Sequence, residues 1–210
     1  QRLGDLERAE TLLSEAIQMQ RDLFEGDHPQ LIFTLSNLAA VVDDTNLQLA
    51  DSLTDEALSM ALRVLEPDNP VTATSLALRA QVVHKTGRLE QADRLFIRAI
   101  DAARRAFPPG HPRIGWATVG HARVLAERGQ HSEAIRHVRE GTTILIDAFG
   151  PTHTLVLRAQ RWHAQMLADT GAGDAAAAML RRQHETLRST LGEDDRETRE
   201  TERLLAKLEP

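Results

Sequence analysis

The chain repeats itself at an interval of about 42 residues, which restricts it to architectures made by stacking copies of one supersecondary unit. Five blocks of 21 residues align without a gap, starting at Gly4, Thr45, Gly87, Gly129 and Gly171, so that successive starts lie 41, 42, 42 and 42 residues apart. In every block the sixth residue is alanine (Ala9, Ala50, Ala92, Ala134, Ala176), and the last is a large apolar residue (Phe24, Leu65, Phe107, Phe149, Leu191). Where two helices cross closely, a methyl group is about the largest that fits, and more bulk costs roughly 1–3 kcal/mol.

Each block is followed by a short link: EGDHP, EPDNP, PPGHP, GPTHT and GEDDR. Pro29, Pro70 and Pro112 fall at one repeat position, taken later by Thr154 and Arg196. Proline is tolerated in a first helical turn, where its missing N–H would be unpaired anyway, and a preceding His, Asn or Asp can cap free amides. These positions therefore read as helix starts, and His28, His111 and His153, recurring beside them, read as capping residues. Counting onward gives a second alanine column: Ala39, Ala80, Ala122, Ala164 and Ala206. Each unit is thus a helical hairpin. Gly87, Gly129 and Gly171 stand where a left-handed C-terminal cap is needed. The interval from Ala39 to Thr45 is one residue short and lacks the glycine, so an irregular turn is expected there.

Composition agrees with helices: the apolar residues are mainly Ala and Leu, aromatics are 3%, and tyrosine is absent. There is no cysteine, hence no disulfide framework or thiolate zinc site, and a cytoplasmic location is expected. No apolar run approaches the roughly 20 residues of a membrane helix. The net charge of −6 disfavours a nucleic-acid partner, because such binding depends on neutralising phosphates. Gln1 opens the chain in mid-pattern, as in a piece of something longer.

The small residue of the first helix, the turn glycine, and the small, aromatic and small residues of the second (Ala80, Gly87, Ala92, Phe96, Ala99) resemble the tetratricopeptide pattern, over essentially the whole chain. The 42-residue unit, the Asp-His-Pro-like link and the run Ser36-Asn37-Leu38-Ala39 are similar to the repeats of kinesin light chains and of bacterial multi-repeat signalling proteins. HEAT-like repeats share the period but lack this Ala and Gly arrangement. The resemblance implies an all-α, right-handed α-solenoid of stacked antiparallel helical hairpins, with about ten helices and a concave face formed by the first helices. The expected organisation is one domain over 1–210: a second helix alone in 1–25 (Leu6 to Phe24), hairpins at 29–65, 70–107, 112–149 and 154–191, and a terminal helix at 195–208. Gln183 departs from the small residues at its repeat position, Ala57, Ala99 and Gly141.

Helical spacing from the first-helix alanines aims one set of side chains at the concave groove. The ligand-binding candidates are Phe33, Asn37, Asp44, Thr74, Gln81, His84, Lys85, Trp116, Arg123, Glu127, Arg158, Arg161 and Gln165, with Val119 also on that arc. Arg123, Arg158 and Arg161 gather near Trp116, a set suited to carboxylates, since guanidinium forks grip them bidentately while an indole adds apolar area. The expected partner is a protein or an extended peptide, an acidic one in particular; solvated surface arginines are the plain alternative. In the families this chain resembles, the Asn of the Asn-Leu-Ala run holds the peptide backbone, and only Asn37 fills that place. Trp162, two residues before a packing alanine, reads as core or groove.

The sequence carries no HExxH pair, no phosphate-cradling glycine loop, no GxSxG elbow and no kinase signature. No metal, cofactor or catalytic residue is therefore expected, and Asp43 with Asp44, and Asp194 with Asp195, read as solvated turns and caps. Two other functions are compatible with the pattern: a regulatory or sensor arm of a larger kinase or nucleotide-driven switch, and self-association through the end helices.

Overall fold

A computed structural model describes residues 2–208, with side chains from Asp5 onward; residues 1, 209 and 210 of the expected domain lie outside the described residues. Ten helices follow in order: α1 (Arg2–Leu23), α2 (Pro29–Val42), α3 (Leu47–Val64), α4 (Pro70–Lys85), α5 (Leu89–Ala106), α6 (Pro112–Glu127), α7 (His131–Phe149), α8 (Thr154–Asp169), α9 (Gly173–Leu191) and α10 (Arg196–Leu208). No strand occurs among the described residues, and the fold is an all-α helical repeat. The helices fall into two compact units, one running to Pro109 and one from Gly110.

Local chemistry explains the boundaries. Nδ1 of His28, His111 and His153 accepts the backbone N–H of Gln30, Arg113 and Leu155 at 3.1, 3.2 and 3.2 Å, and Asn69 does the same for Val71. The repeated histidine is thus a helix cap, satisfying an amide that would otherwise be orphaned. Phe24 stacks on His28 and Phe149 on His153, so the aromatic that closes one helix also seats the cap of the next. Asp195 caps α10 through the Glu197 amide. α1 starts four residues earlier than expected. The short turn after α2 is irregular as expected: the amides of Thr45 and Asn46 both reach the Val42 carbonyl, and Asn46, not a glycine, caps α3. Gly87, in the regular turn, has φ of 77°, a conformation costly to a residue with a Cβ.

Both alanine columns are interior from Ala39 to Ala176, while Ala206 is exposed. In unit 1, Ile32, Leu35, Ala39 and Val42 of α2 pack on Leu53, Ala57 and Met60 of α3. Full burial of each large aliphatic contributes roughly 1.5–3 kcal/mol. In unit 2 the α6–α7 crossing is tighter still: a Cβ on Gly141 would lie 2.6 Å from the Gly115 carbonyl oxygen and 2.7 Å from Val119 Cγ2. That contact shows which way the column Ala57, Ala99, Gly141 points, namely at the first helix of its own hairpin. Gln183 of α9 occupies the same column, is 5% exposed, and has neither side-chain polar atom hydrogen-bonded.

Candidate interaction surface on α6 and α8

Trp116 and Arg123 lie seven residues apart on α6, two turns along one face, and Arg158 and Trp162 lie four apart on α8. The two faces meet. The indoles of Trp116 and Trp162 are 5.8 Å apart at 36°. Arg123 Cζ sits 4.3 Å from the centre of the Trp162 ring, and Arg158 Cζ sits 5.7 Å from that of Trp116. Each guanidinium therefore lies over an indole contributed by the other helix, giving the row Arg158, Trp116, Trp162, Arg123. A cation seated this way is attracted by the ring quadrupole, by about 0.5–2 kcal/mol depending on desolvation. A cation–π contact of this kind does not by itself use up the guanidinium N–H donors. Arg123 is the more buried. Burial holds its pKa below the usual arginine value; Glu127 offsets part of this and Arg158 adds to the lowering.

Arg161 does not share this arrangement, because its guanidinium is ion-paired with Glu197 of α10. With Gln165, Leu180, Leu204 and Lys207 it lines a pocket of about 60 Å³. Gln165 donates to Asp169 at 2.7 Å, and Glu127 is exposed. Trp162 is half-buried and stacked in the row, so it belongs to the surface as much as to the core. Val119 is fully buried against Gly141 and lines no groove.

The unit 1 candidates look different. Lys85 Nζ lies 2.6 Å from Asp43 and 2.7 Å from Asp44, and Gln81 donates to Asp43 at 3.3 Å. The two aspartates are thus partners of a cation, not merely a solvated turn. Burial works against the Lys85 ammonium, but the hydrogen bonds it donates to Asp43 and Asp44 outweigh it and raise its pKa. Thr74 returns its hydroxyl to the Pro70 carbonyl, and Phe33 and Asn37 are exposed. His84 is 5% exposed: one residue on from Val83, it turns inward with the core and cannot line a groove.

Sequence reasoning missed a buried cation. Arg79 Nη1 donates to the Asp51 carboxylate at 2.5 Å, to the Asp51 carbonyl at 2.8 Å and to Thr54 at 3.2 Å, while Nη2 meets Asp55 at 3.1 Å. Arg88 also binds Asp51. The signal was available: the residue just before each first-helix alanine, Leu38, Arg79, His121 and His163, faces inward. In unit 2 that column brings His121 edge-on to His137, with ring centres 5.0 Å apart.

Among the described residues no group of three or more His, Asp or Glu could hold a metal ion, and no helix is long and apolar enough to cross a membrane.

No curated protein matches the sequence. Solved structures do share the fold. A candidate kinesin light chain of Podosopora anserina with nearly identical TPR-like repeats is 19% identical, with a TM-score of 0.70 over 90% of both chains. BtubC (BKLC) of P. vanneervenii is 19% identical, with a TM-score of 0.77 over 97% of this chain and 82% of that one. A Rap protein complexed with Competence and Sporulation Factor is 14% identical, with a TM-score of 0.74 over 99% of this chain and 61% of its own. Tetratricopeptide repeat models match residues 1–30, 42–105 and 72–147. With hairpins, alanine columns and turn glycines in the same register, the chain belongs to the tetratricopeptide repeat family.

Proposed function

We propose that this chain is a non-catalytic protein-interaction module that takes an acidic peptide segment on the face shared by α6 and α8. The observation that carries this reading is the row Arg158, Trp116, Trp162, Arg123, in which both guanidiniums rest on indoles. A carboxylate arriving there meets two charge-assisted donors beside apolar area, the combination enriched at binding hot spots. The structurally similar Rap protein is complexed with Competence and Sporulation Factor, a precedent for ligand capture on this fold.

The test is fluorescence polarisation with labelled acidic, neutral and basic extended peptides against the chain and its Arg123→Ala/Arg158→Ala variant. Acidic peptides alone should bind, and the double change should weaken them by about 150-fold, the loss of two charge-assisted contacts of roughly 1.5 kcal/mol each. Binding that ignores peptide charge, or survives the double change, overturns the reading.

A further inference from the structure

Two neighbouring gaps between the first helices of unit 2 are filled differently. Between α6 and α8, Arg123 and Trp162 close the space, with the guanidinium carbon 4.3 Å from the ring centre. One repeat on, between α8 and α10, the same two places hold Gln165 and Leu204. The Gln165 amide turns along its own helix to Asp169, and leucine is smaller than tryptophan, so the space stays open as the pocket of about 60 Å³. Ala164 of α8 and Leu180 of α9, 3% and 2% exposed, give it an apolar lining, and Arg161 and Lys207 give it positive charge.

Size selects the occupant. At roughly 10–15 Å³ for each water-sized group, the pocket takes about four to six non-hydrogen atoms, which suits the side chain of leucine and excludes an indole. Charge selects what flanks it. Arg161 is already answered by Glu197, whereas Lys207 is exposed beside the pocket, where an acidic neighbour of the inserted residue would meet it. Position ties the pocket to the row of arginines and tryptophans. Arg123 and Gln165 are the same position of successive repeats, so the pocket lies one helix spacing from the Arg123 guanidinium, roughly 10 Å, which an extended chain covers in about three residues.

We infer that the pocket between α8 and α10 is an anchor site for a leucine side chain of an acidic peptide, about three residues from the carboxylate held at Arg123. This rests on the acidic-peptide reading of α6 and α8 and adds a second, apolar determinant to it. The peptide then crosses α8, with its carboxylates on one side of the helix and its leucine on the other.

The experiment uses the whole chain and labelled peptides of one length and charge, a serine background around a central pair of glutamates. A single leucine stands three residues before the pair or three residues after it, or alanine stands at both places. One leucine peptide, the one whose chain direction carries the side chain to the pocket, should bind about tenfold tighter than the alanine peptide in fluorescence polarisation. Tryptophan in the same place should bring no gain. Leu204→Trp, which restores the residue that fills the preceding gap, should make the leucine and alanine peptides bind alike; Ala168→Met, which fills the pocket from α8, should do the same if the first variant does not fold by circular dichroism. Acidic peptides that bind equally with or without leucine, or a leucine advantage that survives a folded variant, overturn the inference and leave the acidic-peptide reading standing. Failure of every acidic peptide to bind overturns both.

Discussion

Lys85 and Arg79 of unit 1 are held in a different way from Arg123 and Arg158 of unit 2. In unit 1, Lys85 is gripped by Asp43 and Asp44, and Arg79 is buried between Asp51, Asp55 and Thr54. In unit 2, Arg123 and Arg158 lie on tryptophans. A cation held by carboxylates has its charge answered and its donors occupied, so it stabilises the fold and offers little to a ligand. A cation on an indole is positioned without being neutralised. Arg161 of unit 2, ion-paired with Glu197, follows the unit 1 pattern, so the helix column a cation occupies, and not the unit, decides how it is held.

That contrast can be broken most forcefully at Asp51. Asp51→Ala leaves the Arg79 guanidinium buried with only the more exposed Asp55 to answer it, and unfolding by urea should show a loss of about 3 kcal/mol. A change below about 1 kcal/mol would mean that Arg79 is not structural.

Unit 2 contains the opposite kind of interior error, a buried group with nothing to bond. Gln183→Met keeps the shape of the side chain and removes an amide with no hydrogen-bond partner, so stability should rise by about 1 kcal/mol in the same assay. A loss of stability would show that the amide has a partner in solution.

Acid should act on unit 2 through its imidazoles. His137 is held below the usual imidazole range by burial first, then by His121 and Arg136, with Glu133 and Glu140 pulling back; His163 is lowered by burial and then by Arg139. The unfolded chain therefore takes up these protons at higher pH than the folded one. The resulting stability is fully present above the unfolded value of about 6.5 and is lost as pH falls through the lowered folded values. Thermal unfolding at pH 7.5 and 5.0 should show a lower Tm in acid, and His137→Gln/His163→Gln should shrink that difference. Asp27, held below the ordinary carboxylate range by the Arg63 hydrogen bond, titrates outside this window.

The smallest expected effect sharpens the comparison best. Lys85→Ala should alter acidic-peptide affinity by less than about twofold, or about 0.4 kcal/mol, because that ammonium already has its carboxylates. A tenfold loss would place ligand on unit 1 and collapse the distinction between the units.

Much of this was legible in the chain itself. Pro29, Pro70 and Pro112 start helices, His28, His111 and His153 cap α2, α6 and α8, and Gly87 turns a hairpin, because each acts through backbone geometry within a few residues. The α6 and α8 candidates Trp116, Arg123 and Arg158 were legible too, since residues four and seven apart on one helix share a face whatever surrounds it. His84 was misread because one residue is a rotation of about 100°, enough to carry a side chain from surface to core. Arg161 was grouped with the other arginines because nothing local reveals a partner 36 residues away, Glu197, on another helix.

By itself the sequence determined that this chain is a series of helical hairpins, where the first helices α2, α4, α6 and α8 begin, and which columns must stay small, because period, capping and steric fit at a crossing are local or repeated properties. Only the tertiary structure decided which cations are answered by carboxylates and which rest on tryptophan. Those outcomes depend on which helix lies across from which, and identical residues cannot report their neighbours.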